Sequence, residues 1–271
     1  MNSLNIVCFS KDRPMQLQAY IESLDKYADL QYTLDIIYTV SDEKYEQAYK
    51  QLMATYDDIP FIRETNMQKN LRDLFNGYGE HVMFGCDDVL FTSKFGNEYE
   101  TLMIDENVFG FTMRAGENII YSHPAQTHFK FHGEVIEDTF CKWDWRTGQV
   151  TFAYPFELNA TVYRKQDVLK YFDLVKGVKK WHPNILEGGF YSLRQYFYNR
   201  PIMYSYKNPK MVVLTINRVQ DVAENPVYEE EGYTTEKLLE MFLAGRQIDI
   251  DHLHDRTFDR IHIGEFKFKQ L

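Results

Sequence analysis

The chain is short of the features that mark a membrane, secreted or nucleic-acid-binding protein. Its 271 residues hold no apolar run of spanning length, and polar Asn2, Ser3 and Asn5 interrupt the start before a signal-like stretch can form, so a cytoplasmic protein is expected. Cysteine is scarce: Cys8, Cys86 and Cys141 show no C-x-x-C spacing, and reduced core thiols in a reducing compartment are preferred over a disulfide or a zinc role. Positive charge is also short, with 30 Lys and Arg against 40 Asp and Glu, a net charge of -10 that excludes the basic footprint of a nucleic-acid binder. No G-x-G-x-x-G follows the first strand-like run and no G-x-x-x-x-G-K-[ST] occurs anywhere, which removes the dinucleotide fingerprint and the P-loop. No long Pro/Gly/Ser linker, internal repeat or low-complexity tract divides the chain, and its 44% hydrophobic content can bury a large core.

What is present is a regular alternation. Leu4 to Phe9 is an apolar run of strand length followed by the polar cluster Ser10, Lys11, Asp12 and Arg13. Pro14 suits a first helical position, where its missing N–H costs nothing, and Leu17, Tyr20, Ile21, Leu24, Tyr27 and Ala28 keep one helical face apolar. A second strand, Leu34 to Val40, leads to Ser41 and Asp42, the latter a cap for a helix with Tyr45, Ala48, Tyr49, Leu52, Met53 and Tyr56 inside. A third strand at Ile59 to Ile62, a helix opened by Asn66 and a fourth strand at His81 to Cys86 complete the pattern of a doubly wound, mostly parallel sheet flanked by helices. Ligands of such sheets sit at the carboxyl ends of the strands, where the polar clusters converge.

Asp87 and Asp88 interrupt the apolar stretch HVMFGCDDVLFT. Adjacent carboxylates between buried segments repel each other and resist desolvation, which a hard divalent cation such as Mg²⁺ or Mn²⁺ resolves; a plain Asp-Asp turn between strands is the competing reading.

The opening NIVCFSKDRPMQLQAYIESL, the second-strand VSDE and the GCDDVLF after the fourth strand resemble the nucleotide-sugar half of a GT-A glycosyltransferase of the family-2 kind, with Asp87-Asp88 in the place of the family's D-x-D motif. The likeness covers residues 1–115 well and extends more loosely to about residue 220. It implies a GT-A (Rossmann-like) mixed sheet and a Mn²⁺- or Mg²⁺-dependent enzyme that moves a sugar from a nucleotide-diphosphate donor to a glycan or lipid-linked acceptor. By the same resemblance Ser10, Lys11 and Arg13 touch the nucleotide, and Ser41 and Asp42 meet its base or ribose. Cys86 stands where the family often has an acidic residue, so Asp88 is implied as the metal ligand and Asp87 as a ribose or water-mediated contact. Glu187, in WHPNILEGGF near the start of a helix opened by Pro183 and broken at Gly188 and Gly189, corresponds to the catalytic base of an inverting enzyme. A C-terminal histidine commonly completes the metal site, which implies one of the pair His252 and His254, with His254 preferred; ordinary surface histidines are the alternative.

The remaining readings come from residue type. Trp143 and Trp145, in the loop-rich Tyr121 to Gln149 region, offer ring faces for acceptor sugars, with packing at a loop base the favoured alternative. Arg218 follows a last strand and can meet a diphosphate or stay solvated. The expected layout is a catalytic domain over 1–220, split at about 115 into nucleotide and acceptor halves, and a small helical extension over 221–271. Leu238, Leu239, Met241, Phe242 and Leu243 give that extension a broad apolar face, which leaves contact with a partner subunit or with the inner face of a membrane open. A catalytically silent nucleotide- or carbohydrate-binding module and a sugar nucleotidyltransferase are the competing functions.

Overall fold

A computed structural model describes residues 4–220, 226–228 and 232–270; Asp221 and Glu229 to Glu231, read from the sequence as ligand-side and acidic-loop positions, lie outside the described residues. The first half follows the expected alternation: β1 (Leu4–Lys11), α1 (Pro14–Tyr27), β2 (Tyr32–Thr39), α2 (Glu43–Thr55), β3 (Phe61–Arg63), α3 (Met67–Gly77) and β4 (His81–Cys86). The start signals act as read. Pro14 occupies the first turn of α1, Asp42 caps α2 by accepting from the N–H groups of Lys44 and Tyr45, and Asn66 caps α3 by accepting from Lys69 N–H.

The chain then adds β5 (Val89–Phe91), α4 (Glu98–Leu102), β6 (Val108–Thr112), the short β7 (Tyr121–Ser122) and β8 (Thr127–His128), β9 (Glu134–Ile136), β10 (Phe140–Asp144), β11 (Thr161–Arg164), α5 (Lys165–Leu174) and α6 (Pro183–Leu193). After β12 (Ile202–Tyr206) and β13 (Met211–Leu214) come α7 (Thr235–Leu243), β14 (Arg246–Ile248), β15 (His262–Ile263) and β16 (Phe268–Gln270).

Nine strands form the main sheet in the order β3-β2-β1-β4-β11-β6-β12-β10-β9. All but β11 and β10 run the same way, so the sheet is mixed and mostly parallel. Helices cover both faces, which is why β1 reads as a continuous apolar run rather than as an alternating one: Leu4, Ile6, Val7 and Cys8 are all fully buried. Strand order reverses between β1 and β4, and the crevice at that switch point is where an open α/β sheet takes its ligand.

A second sheet, β15-β13-β5, stands beside this crevice. Asp87 and Asp88 are the two residues in which the chain leaves the main sheet and enters the second: Asp87 N–H donates to Phe9 C=O at 3.0 Å, and Asp88 C=O accepts from Leu214 N–H at 2.7 Å. The pair is therefore both a turn and a strand-end site.

Two expectations need correction. Among its described residues the C-terminal segment, expected to be helical, contains three short strands besides α7 and a short 3-10 turn at Ile250–Leu253, and it packs Leu238, Ile248, Ile250, Leu253 and Ile263 against Met15 and Ala19 of α1 and Leu90 of β5. Most of the apolar face of α7 is thus covered by its own chain, with Leu243 the exposed member. Helix α6 also runs unbroken through Gly188 and Gly189. Its neighbour explains the second glycine: a Cβ on Gly189 would stand 2.9 Å from the Tyr171 hydroxyl of α5. Among the described residues no helix is long and apolar enough to cross a membrane.

Gly85 marks the tightest approach beneath the crevice. A Cβ there would lie 2.3 Å from Tyr20 Oη and 2.7 Å from its Cζ, both buried on α1. Gly85→Ala is expected to destabilise by about 1–3 kcal/mol, the cost of overpacking a filled core. Urea denaturation measures it, and an unchanged midpoint would show that the Tyr20 ring yields freely.

Candidate active site

A cleft of about 340 Å³ opens at the carboxyl ends of the parallel strands, large enough for a nucleotide-sized ligand. Its wall includes Ser10 and Lys11 from the end of β1, Arg13 from the turn after it, Asp87 and Asp88 after β4, Glu187 from α6, and Arg218 after β13. Seven residues singled out from the sequence therefore share one cavity.

Arg13 organises its floor. Nη1 donates to Asp87 Oδ1 at 3.0 Å and to Asp88 Oδ2 at 2.9 Å, Nε donates to Asn217 Oδ1 at 2.8 Å, and Nη2 donates to the Asn217 carbonyl. Burial disfavours the Arg13 charge, but the two carboxylates more than offset it, so the guanidinium is held charged more firmly than in water. Asp87 is nearly inaccessible, and its second oxygen accepts from the Ser10 hydroxyl at 2.8 Å and the Lys11 N–H at 3.0 Å. Burial still pushes the Asp87 carboxyl up, with Arg13 pulling the other way. Tyr49 backs the cluster, its hydroxyl bonded to Ser10 Oγ at 2.5 Å and accepting from Arg13 N–H at 3.4 Å.

Asp12 ties this turn to the next one. Its backbone is left-handed, with φ of 54°, and its carboxylate accepts from Ser41 N–H at 2.8 Å and from the Ser41 hydroxyl at 2.5 Å. Ser41 is spent on that tie and Asp42 on capping α2, and neither lines the cleft. The wall at the ends of β2 and β3 is made instead by Ile37, Thr39, Glu64 and Met67.

Pro183 opens α6 as expected, and Glu187 lies four residues further on. His182 is the N-cap, its Nδ1 accepting from Asn184 N–H at 3.3 Å, and the first turn carries no acidic residue. The Glu187 carboxylate accepts from Leu158 N–H at 2.8 Å. Burial, reinforced by the Glu157 charge, raises its pKa to about 7. Glu157 is itself buried, accepts from Asn159 N–H at 2.6 Å and from the Thr161 hydroxyl, and faces Arg114 Nε at 3.5 Å. Two acids thus sit back to back, one against an arginine and one open to the cleft.

The tryptophans move from acceptor candidates to core. Trp143 and Trp145 are 4% and 2% exposed, and their indole N–H groups donate to the carbonyls of Phe152 at 2.9 Å and Arg200 at 2.7 Å. Filling the space around β10 satisfies both ends of each side chain, and neither ring reaches the cleft. His254 is also displaced from its expected part. It stacks on Tyr27 at 5.5 Å and bonds to the Tyr27 hydroxyl, away from the cleft wall.

The C-terminal histidine that does line the cleft is His262. β15 pairs with β13 at Val213–His262, and β13 pairs with β5 at Val213–Val89, so His262 and Asp88 lie on adjoining rungs. Burial drives the His262 pKa down to about 3, which keeps its imidazole neutral and able to act as a ligand. Among the described residues no three His, Cys, Asp or Glu side chains converge into a self-sufficient metal cage. Asp88 nonetheless retains an uncommitted Oδ1, and the His262 ring has no hydrogen bond among the described residues. A carboxylate oxygen with a neutral imidazole is a donor set that a divalent ion such as Mn²⁺ could take.

The signals for the missed residues were weak. His262 lies between Ile261 and Ile263 at the start of a strand two residues long, and Glu64 simply follows the third strand, where the strand-end rule applied elsewhere would have reached it.

No protein-family model matches the chain. Over 308 aligned positions it is 28% identical to the bifunctional glycosyltransferase pgtA of Dictyostelium discoideum, an alignment that takes in 97% of this chain and 39% of that protein. The chain therefore spans well under half the length of this curated relative. Similar solved structures include S. aureus TarS 1-349 in complex with UDP, at 11% identity and a TM-score of 0.49 over 77% of this chain and 59% of that one. A mannosyltransferase from Pyrobaculum calidifontis in complex with GDP-Man and Mn²⁺ aligns at 10% identity and a TM-score of 0.37 over 67% and 48%. By sequence the chain is similar to a named glycosyltransferase, and its sheet is mixed, mostly parallel and flanked by helices.

The buried cluster makes a stability prediction. Arg13→Met leaves two adjacent carboxylates without their cation and is expected to cost about 3–5 kcal/mol. Asp87→Asn in the same background should recover part of that loss. Urea denaturation of the three proteins checks both signs, and a fully stable single variant would mean that the aspartates do not depend on Arg13.

Proposed function

We propose that this chain is the catalytic unit of an inverting glycosyltransferase that moves a sugar from a nucleotide-diphosphate donor to a hydroxyl of a glycan or lipid-linked acceptor. One observation carries the proposal: Glu187, with a pKa raised to about 7, opens into the same cleft as the Arg13-bridged aspartates. A carboxyl poised near neutrality can take a proton from an alcohol as the bond to carbon forms. The likeness to a named glycosyltransferase over nearly the whole chain supports the reaction class.

In this reading Glu187 removes the acceptor hydroxyl proton. The freed oxygen attacks the anomeric carbon from the side opposite the phosphate, the bond from that carbon to the phosphate oxygen breaks, and the nucleotide diphosphate departs with the bonding electrons. Lys11 and Arg218 line the cleft and supply positive charge for a diphosphate in an otherwise acidic protein. Asp88 and His262 would hold a divalent ion, whose positive charge stabilises the leaving diphosphate. Glu157, behind the base and countered by Arg114, keeps the Glu187 proton affinity high without entering the cleft.

Three outcomes are expected. Transfer should fall roughly tenfold per pH unit below about pH 7, because the base must be ionised, and stay level above it. Glu187→Gln should lower the rate by a factor on the order of a hundred to ten thousand while donor affinity persists. Initial rates across pH for parent and variant measure both, and full transfer by the variant would remove Glu187 from the chemistry. Asp88→Asn should abolish any gain in nucleotide affinity from Mn²⁺ at a smaller cost in stability than Arg13→Met, because its amide oxygen can still accept from Arg13. Calorimetry with and without the metal decides it, and an undiminished Mn²⁺ effect would place the ion elsewhere.

A further inference from the structure

We infer that the far end of the cleft selects guanine, so that the donor is a guanosine-diphosphate sugar; this rests on the transferase reading above. Along the sheet edge the wall residues follow strand order. Thr39 and Glu64 close β2 and β3, Ser10 and Asp87 close β1 and β4, and Glu187 is bonded to Leu158 just before β11. The reacting carbon must lie beside Glu187 and the diphosphate beside Lys11 and the aspartates. The nucleoside then falls against Ile37, Thr39, Glu64 and Met67.

That end has two apolar surfaces and one charge. Ile37 and Met67 are buried side chains that can pack against the faces of a flat ring. Glu64 is fixed to the end of β3 by its own N–H, which donates to Tyr38 C=O at 2.9 Å. Its carboxylate accepts a long bond of 3.4 Å from the Thr39 hydroxyl at Oε2, and Oε1 has no hydrogen bond among the described residues. The adjacent cation is turned to other use, since Arg63 pairs with Glu46 at 3.2 Å. Glu64 therefore brings a carboxylate with one oxygen uncommitted among the described residues to a wall it shares with Ile37, Thr39 and Met67.

Base chemistry makes this a selective arrangement. Guanine presents two donors side by side, N1–H and the N2 amino group, which match both oxygens of a carboxylate. Uracil offers one N–H between two carbonyl oxygens that repel the carboxylate. Cytosine and adenine set an amino donor beside a ring nitrogen whose lone pair does the same. A site built around such a bidentate contact discriminates by roughly ten- to a hundred-fold.

Calorimetry with GDP, UDP, CDP and ADP, each with Mn²⁺ and with a chelator, tests the assignment on the whole chain. GDP is expected to bind about ten- to a hundred-fold more tightly than the others, and Glu64→Gln to remove most of that margin while leaving the other three unchanged. UDP, CDP or ADP binding as tightly as GDP overturns the inference and leaves the transferase reading standing. A Glu64→Gln variant weakened equally toward all four also overturns it, by moving the carboxylate to the ribose hydroxyls that every nucleotide shares. Failure of all four to bind would reject the donor reading of the cleft itself, and the guanine assignment with it.

Discussion

The cleft depends on one guanidinium. Arg13 reaches both carboxylates of the turn that joins the two sheets and, through Nε and Nη2, the side chain and backbone of Asn217 beyond β13. Four acceptors from two distant stretches of chain therefore converge on a single buried cation. A buried charge network is strong only when every member is satisfied, and here Ser10, Lys11 N–H and Tyr49 complete what the arginine leaves. The same arrangement explains how two adjacent aspartates survive at the base of a hydrophobic sheet.

The acids of the site divide by the company they keep. Asp87 is buried beside a permanent cation and accepts several donors, so its role is to hold the turn. Glu187 is half-buried beside another acid, accepts from Leu158 N–H and is pushed toward neutrality. Burial raises both, and what separates them is commitment: Asp87 is held by Ser10, Lys11 N–H and Arg13, whereas Glu187 keeps part of its carboxylate open to the cleft. Arg114 plays an indirect part, because it meets Glu157 rather than Glu187 and leaves Glu157 close enough to act on the base.

Much of the fold could be read from sequence because the first ninety residues are locally consistent. Pro14, Asp42 and Asn66 sit at helix starts, and the strand runs are apolar throughout because both faces of the sheet are covered. The site was legible where it lay at strand ends, as with Ser10, Arg13 and the aspartates. It failed where a side chain served two plausible ends. Tryptophans suit sugar faces and cores alike, and only burial with a satisfied indole N–H tells them apart. His254 and His262 are both C-terminal histidines, and what separates them is the pairing of β15 with β13, a contact across some fifty residues that no local pattern announces.

The second sheet draws its strands from residues 89–91, 211–214 and 262–263, so the wall of the cleft that carries His262 is synthesised long after β1 to β4. Chain emerges at about 5–20 residues per second, and β1 to β4 can pair long before β15 exists. For several seconds a nascent molecule would own the Asp87–Asp88 turn without Asn217 to hold Arg13 or His262 to close the side. A nucleotide offered at that stage would meet an open shelf rather than a cleft, and binding competence would arrive late, at the docking of a two-residue strand.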